Sequence, residues 1–165
     1  MKDNNRHAQH YLQPAPGTYS LAQLLLRLAL GVGFILPVLD RFGMLGVPGE
    51  PNVGWGNWEN FAGYTHTLMP YVNLSVASFF GFIATAGEAI FGIMLIIGYK
   101  TRLAALGSFG LTLIFAMSML IFLNYRAPFS YSVFSVSFSS LLLAASPAYQ
   151  WSVDSLLESR KRKEF

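Results

Sequence analysis

The sequence predicts an all-α integral membrane protein, a four-helix bundle with both termini cytoplasmic and a long outer loop between its first two helices. Three observations predict it. Of the 165 residues, 53% are hydrophobic and 12% charged, about half the roughly 25% charged fraction of a typical soluble domain. Four apolar segments, 21–39, 74–98, 103–123 and 129–148, match the roughly 20 helical residues needed to cross hydrocarbon about 30 Å thick. Basic residues gather on one side of those segments: Lys2 and Arg6 before the first, Lys100 and Arg102 between the second and third, and Arg160, Lys161, Arg162 and Lys163 after the fourth. The other two connections contain only Arg41 and Arg126, and the positive-inside rule puts the basic side in the cytoplasm.

Each element follows from local signals. Residues 1–19 read as a polar tail, broken from the first span by Pro14, Pro16 and Gly17. The span itself is followed by VLDRFG, which offers no small-residue cleavage site, so it is expected to remain as an uncleaved signal anchor. Residues 40–73 then form a connection far longer than the roughly 2 to 8 residues usual between bundle helices. Tyr99 to Arg102 alone join the second and third spans, which forces an antiparallel hairpin. The third span holds no charge over its length. The fourth opens with FSYSVFSVSFSS, an alternation that suits an edge strand in a soluble protein. Three spanning helices leave no sheet for such a strand to join, and its backbone would go unpaired in lipid. A helix is therefore predicted over 129–148, within a transmembrane domain of residues 20–148, and residues 149–165 read as a basic cytoplasmic tail.

The net charge of +3 comes from these ends and reports orientation and anionic lipid, not nucleic acid. With no cysteine, the chain forms no disulfide, holds no thiolate-ligated cluster and runs no thiol relay. His7 and His10 are too few for a metal site, no metal is expected, and no cofactor is intrinsic to the chain. Gly31 and Gly33 lie in a span and are read as packing features rather than as a phosphate loop.

Arg27 and Glu88 stand alone as charges inside the spans. A charge in hydrocarbon costs about 3 kcal/mol on insertion scales, so each should face the bundle interior and find a partner. Small or polar residues share their faces: Ser20, Gln23 and Gly31 with Arg27, and Gly81, Ala84, Thr85 and Gly92 with Glu88. Two readings stay open, a buried ion pair that fixes helix register and the polar wall of a cavity formed by Arg27, Glu88, Gln23 and Thr85 that binds a headgroup or passes a proton. In the outer loop, Trp55, Trp58, Tyr64 and His66 with Phe61 and Tyr71 form either an interfacial aromatic belt or a lid whose rings stack on a flat ligand such as a quinone. Asp40 and Arg41 are expected as a helix-end pair at the headgroups. Ser132, Ser135, Ser139 and Ser146 are expected on one close-packing face.

Taken in order, LLLRLALGVGF followed by DRFG, then GVPGEPNVGWGNWENFAGYT, ATAGEAIFGIMLIIGYKTRLAAL and APFSYSVFS resemble the DoxX family of small four-helix membrane proteins, from about Leu25 to Ala148. The resemblance implies that Arg27, Asp40, Arg41, Glu88 and, in the cytoplasmic turn, Thr101 and Arg102 occupy family motif positions. Ser130 departs from the family pattern, which has an acidic residue there. The family's namesakes resemble the membrane subunit of a thiosulfate:quinone oxidoreductase, and other members work beside soluble redox partners. The expectation is thus a non-autonomous membrane subunit of a quinone-linked oxidoreductase in a bacterial cytoplasmic (inner) membrane. Quinone is the candidate borrowed cofactor, and the bilayer, a redox protein and a second copy of the chain are the candidate partners. The alternative is a non-catalytic assembly or anchoring subunit. A small-solute transporter is a third reading, which four short helices without discontinuous repeats support weakly.

Overall fold

The structure, a computed structural model, describes residues 16–162. Lys2, Arg6, His7 and His10 of the N-terminal tail and Lys163 of the basic run lie outside the described residues. The elements in chain order are α1 (Pro16–Arg41), α2 (Trp58–Leu68), α3 (Leu74–Ile97), α4 (Thr101–Ser118), α5 (Ala127–Ser130), α6 (Val133–Ala144) and α7 (Val153–Lys161), with a π-helical turn over Met119–Leu123 continuing α4. No strand occurs among the described residues.

Three helical stretches are long and apolar enough to cross a membrane: Gly17–Arg41, Leu74–Ile97 and Thr101–Leu123, with mean hydropathies of 2.0, 2.0 and 2.2. Their outer surfaces expose Leu25, Leu36, Phe79, Phe82, Ile90 and Ile114, a surface that suits lipid and not water. The fourth span departs from expectation. Instead of one helix over 129–148, the backbone breaks at Tyr131 and Ser132, where Ser132 takes a left-handed φ of 55°. A left-handed residue cannot continue the right-handed hydrogen-bond ladder. The resulting α6 has 12 residues, about 18 Å at ~1.5 Å per residue, too short to cross alone. The break also sets which serines pack: Ser137 and Ser140 are fully buried, while Ser132 and Ser135, expected on the packed face, are exposed.

Close approach of backbones holds the spans together. A Cβ at Gly31 would meet Gly92 O at 2.9 Å, and one at Gly92 would meet Gly31 O at 3.1 Å, so these glycines are where antiparallel α1 and α3 touch. Gly98 ends α3 in the left-handed region, φ 71°, accepted there without a Cβ penalty. On α6, Ser137 donates to Phe109 O of α4 at 3.2 Å. The core between these helices contains Leu30, Phe34, Leu95, Ala104, Ala105, Leu143 and Ala144.

The long connection is not a plain loop. Asn57 caps α2 by accepting from Asn60 N at 2.8 Å. The helix then buries Phe61, Ala62, Thr65 and Leu68. Gly81 makes room for it, since a Cβ there would lie 3.1 Å from the Phe61 ring.

Candidate functional site

Arg41, the last residue of α1, turns into the bundle instead of out to the headgroups. Its Nη1 lies 2.5 Å from Glu88 Oε2, with side chains 3% and 8% exposed, and donates to Thr85 Oγ1 at 2.7 Å. Thr85 in turn donates to Gly81 O at 2.8 Å. The guanidinium also lies 3.9 Å from the centre of the Phe61 ring and 5.2 Å from that of Trp55, where the aromatic faces attract a cation. Aromatic faces and one carboxylate thus solvate a buried arginine.

Its neighbour Asp40 organises the loop. Asp40 Oδ2 accepts from Trp55 N at 2.8 Å and Gly54 N at 3.2 Å, which brings Trp55 back over the end of α1. Trp55 meets Phe61 edge to face, with centroids 5.3 Å apart, and lies 5.9 Å from Tyr64. The sequence expectation of an Asp40–Arg41 pair at the headgroups is corrected: a loop amide cradle takes one side chain and an intramembrane carboxylate the other.

These groups wall a chamber of about 530 Å³. Gly33, Phe34, Pro37 and Arg41 of α1 form one side, Gly54, Trp55, Phe61 and Tyr64 the lid, and Glu88 the floor. Thr112, Phe115, Met119, Tyr131, Val133 and Val136 complete it. The volume falls inside the roughly 300–1,000 Å³ range of small-molecule pockets, and the mix of many apolar walls with few polar groups is typical of them. Burial pushes the Tyr64 phenol above its ordinary pKa, and the Tyr131 phenol adds to the shift, so the hydroxyl is a neutral donor at physiological pH.

A second polar layer lies at the opposite end of the bundle. Arg27, 2% exposed, donates through Nη2 to Trp151 O at 2.7 Å, and Gln23 donates to Ala148 O at 2.6 Å. Asp154 accepts from Lys100 N at 2.7 Å and Thr101 N at 2.8 Å. The N-terminus of α4 has no side-chain cap of its own from Lys100, and a carboxylate on its free amides offsets the positive end of the helix dipole. Arg27 and Gln23 thus clasp the C-terminal segment against the bundle. Arg27 and Glu88 are not brought together, because each has a nearer partner at its own depth.

Of the residues singled out in sequence, the chamber gathers Arg41, Trp55, Tyr64 and Glu88, with Thr85 and Asp40 supporting it. Trp58 instead donates from Nε1 to Ser78 Oγ at 3.1 Å and fastens α2 to α3. His66 Nε2 lies 2.9 Å from Val72 O and closes the connection into α3. Thr101 is fully buried in the clasp and Arg102 is exposed beside it. Sequence reasoning missed Tyr131 and Asp154. A helix start at Thr101 with no capping side chain before it was a signal for an acceptor from elsewhere; Tyr131 gave none, since the helix break that exposes it was not visible. Among the described residues no group of three or more His, Asp or Glu could hold a metal.

A family model described as DoxX matches residues 22–123. The match includes Arg27, Asp40, Arg41 and Glu88 and ends before Tyr131, α6 and the clasped C-terminal segment. No curated protein matches the chain, and no solved structure does.

Proposed function

The chain belongs to the DoxX family, and from that premise we propose that it is a membrane subunit of a quinone-linked oxidoreductase whose quinone ring occupies the Arg41–Glu88 chamber. The observation that carries this reading is a buried ion pair set in the wall of a largely aromatic and apolar chamber of about 530 Å³. Such a wall suits a flat, uncharged ring with polar edges. Arg41 lines the chamber and its buried Nε makes no hydrogen bond, so a small side-chain movement would turn a donor toward a carbonyl oxygen. Trp55 and Tyr64 offer faces for stacking, with Phe61 holding Arg41 behind them. Glu88 holds the guanidinium in place, and Tyr64 and Tyr131, each with a hydroxyl, line the same space. A bound quinone would supply the redox capacity that the chain lacks, so the isolated protein has no turnover of its own and a partner delivers or receives the electrons. The distribution of basic residues supports cytoplasmic termini, and the family premise suggests the cytoplasmic membrane of a bacterium.

The test is purification in mild detergent, mass spectrometry of the co-extracted lipids, and quinone titration of wild type and Glu88→Gln, with thermal unfolding followed in parallel. Quinone retained by wild type and lost by a folded Glu88→Gln supports the chamber. No quinone in either sample, with a protein co-eluting, sinks it and favours a non-catalytic assembly or anchoring subunit. One observation favours that second reading: α7 buries none of its residues and exposes Leu156, Leu157, Arg160 and Lys161, a face open to a partner.

A further inference from the structure

A second cavity, of about 180 Å³, lies between α3 and α4 on the bundle's outer surface. The two helices are pinned together toward their shared turn, where a Cβ at Gly87 would lie 3.6 Å from Leu111 Cδ1 and Gly107 receives the Phe91 ring. Farther along, Thr65 and Leu68 of α2 and Met69 just after it come between them, and the groove opens there. Its rim is lipid-facing: Phe80, Ile83 and Ile114 are 48%, 49% and 68% exposed. No charged residue lines it, and the Thr65 hydroxyl is already donated to Phe61 O at 2.9 Å.

We propose that this groove is the tail site of the chamber's ligand, taking the hydrocarbon chain of a membrane quinone whose ring sits against Arg41. The proposal rests on the quinone reading above. Adjacency favours the quinone chain: Phe115 stands between the two cavities and lines both, and α2 contributes Phe61 to the chamber and Thr65, one turn on, to the groove. Depth and charge disfavour a phospholipid headgroup here and leave the groove to a hydrocarbon chain. Ala84, in the groove wall, lies about 15 Å along α3 from its first residue at ~1.5 Å per residue, and the groove offers no charge to hold a headgroup at that depth. The ligand class is therefore a lipid-soluble quinone entering sideways from the bilayer, with the ring in the chamber and the chain between α3 and α4.

The experiment compares the affinity of the purified full chain for a ring-only benzoquinone and for the same ring with a decyl chain. Wild type binds the decyl compound at least about tenfold more tightly, since each buried methylene adds to affinity. Ala84→Phe and Ser118→Phe fill the groove from opposite walls. In whichever variant elutes and unfolds like wild type, the decyl advantage disappears while ring-only binding is kept. A decyl advantage that survives in a folded variant overturns the groove, as does its absence from wild type that binds the ring. Loss of co-purified phospholipid from the variants with quinone binding unmoved assigns the groove to acyl chains and overturns the proposal as well. Failure of wild type to bind either compound removes the chamber reading and this one together.

Discussion

Arg41 and Glu88 form an ion pair across the helix interface, Nη1 to Oε2 at 2.5 Å, although one ends α1 and the other lies well inside α3. The antiparallel Gly31–Gly92 contact fixes the offset between these helices; counting on from it puts the Arg41 backbone level with Phe82, and because side chains lean toward the N-terminus of their own helix, Arg41 and Glu88 reach toward each other and meet beside Thr85. Removing one partner from a buried pair strands the other charge, at about 3–5 kcal/mol, whereas replacing both is far milder. Arg41→Gln and Glu88→Gln should each lower the unfolding temperature in detergent, and the double variant should lose clearly less than the sum of the two. Additive losses would show that the groups do not interact.

The clasp predicts a local effect of a different kind. A hydrogen bond from a charged donor contributes about 1.5–3 kcal/mol, and Asp154 accepts two amide bonds while Arg27 supplies one to Trp151 O. Asp154→Ala and Arg27→Ala should release the segment after Ala148, so that limited proteolysis trims it early while the bundle stays intact. Chamber ligand binding should be unchanged, since the two polar layers share no residue. Cleavage rates equal to wild type would mean the segment is held by something other than these contacts.

Much of this architecture is legible in the sequence for simple physical reasons. The uncharged run from Leu103 to Leu123 admits no other reading, and a lone charge such as Glu88 on a small-residue face has to point inward. The partner was not legible. Arg41 follows Asp40 at the end of an apolar run, where a headgroup position is the default, and only the offset of α1 against α3 turns it inward. The register comes from the Gly31–Gly92 approach, a three-dimensional fit that helical periodicity does not encode. The fourth span failed for a related reason: a single left-handed residue, Ser132, splits it, and nothing in a serine-rich apolar run marks which serine will do so. Asp154 looked like part of a solvated tail because its partners are backbone amides, which have no sequence signature.

Gly31 and Gly33, two residues apart and so on opposite faces of α1, should respond oppositely to alanine. A Cβ at Gly31 meets Ile96 Cγ1 at 2.6 Å and Gly92 O at 2.9 Å, while one at Gly33 meets nothing within 4 Å. Overpacking of a close contact costs about 1–3 kcal/mol, and relief of glycine's helix penalty gains up to about 1 kcal/mol. Gly31→Ala should therefore unfold at a lower temperature than wild type, and Gly33→Ala at the same or a higher one. Equal destabilisation by both would mean that α1 does not meet α3 along the Gly31 face.

The absence of cysteine makes the orientation directly measurable, because any introduced thiol is unique. Val47 in the outer connection is 61% exposed, and Ser159 on α7 is exposed at the basic end. Neither substitution disturbs a buried contact. If the basic ends face the cytoplasm, as the positive-inside rule requires, a membrane-impermeant maleimide labels Val47→Cys on intact cells and reaches Ser159→Cys only after permeabilisation. The reverse pattern would put the chamber lid, Trp55 and Tyr64, on the cytoplasmic side. A redox partner acting at the lid would then have to be cytoplasmic, whereas the predicted pattern places such a partner outside the cytoplasm and leaves the clasped α7 facing in.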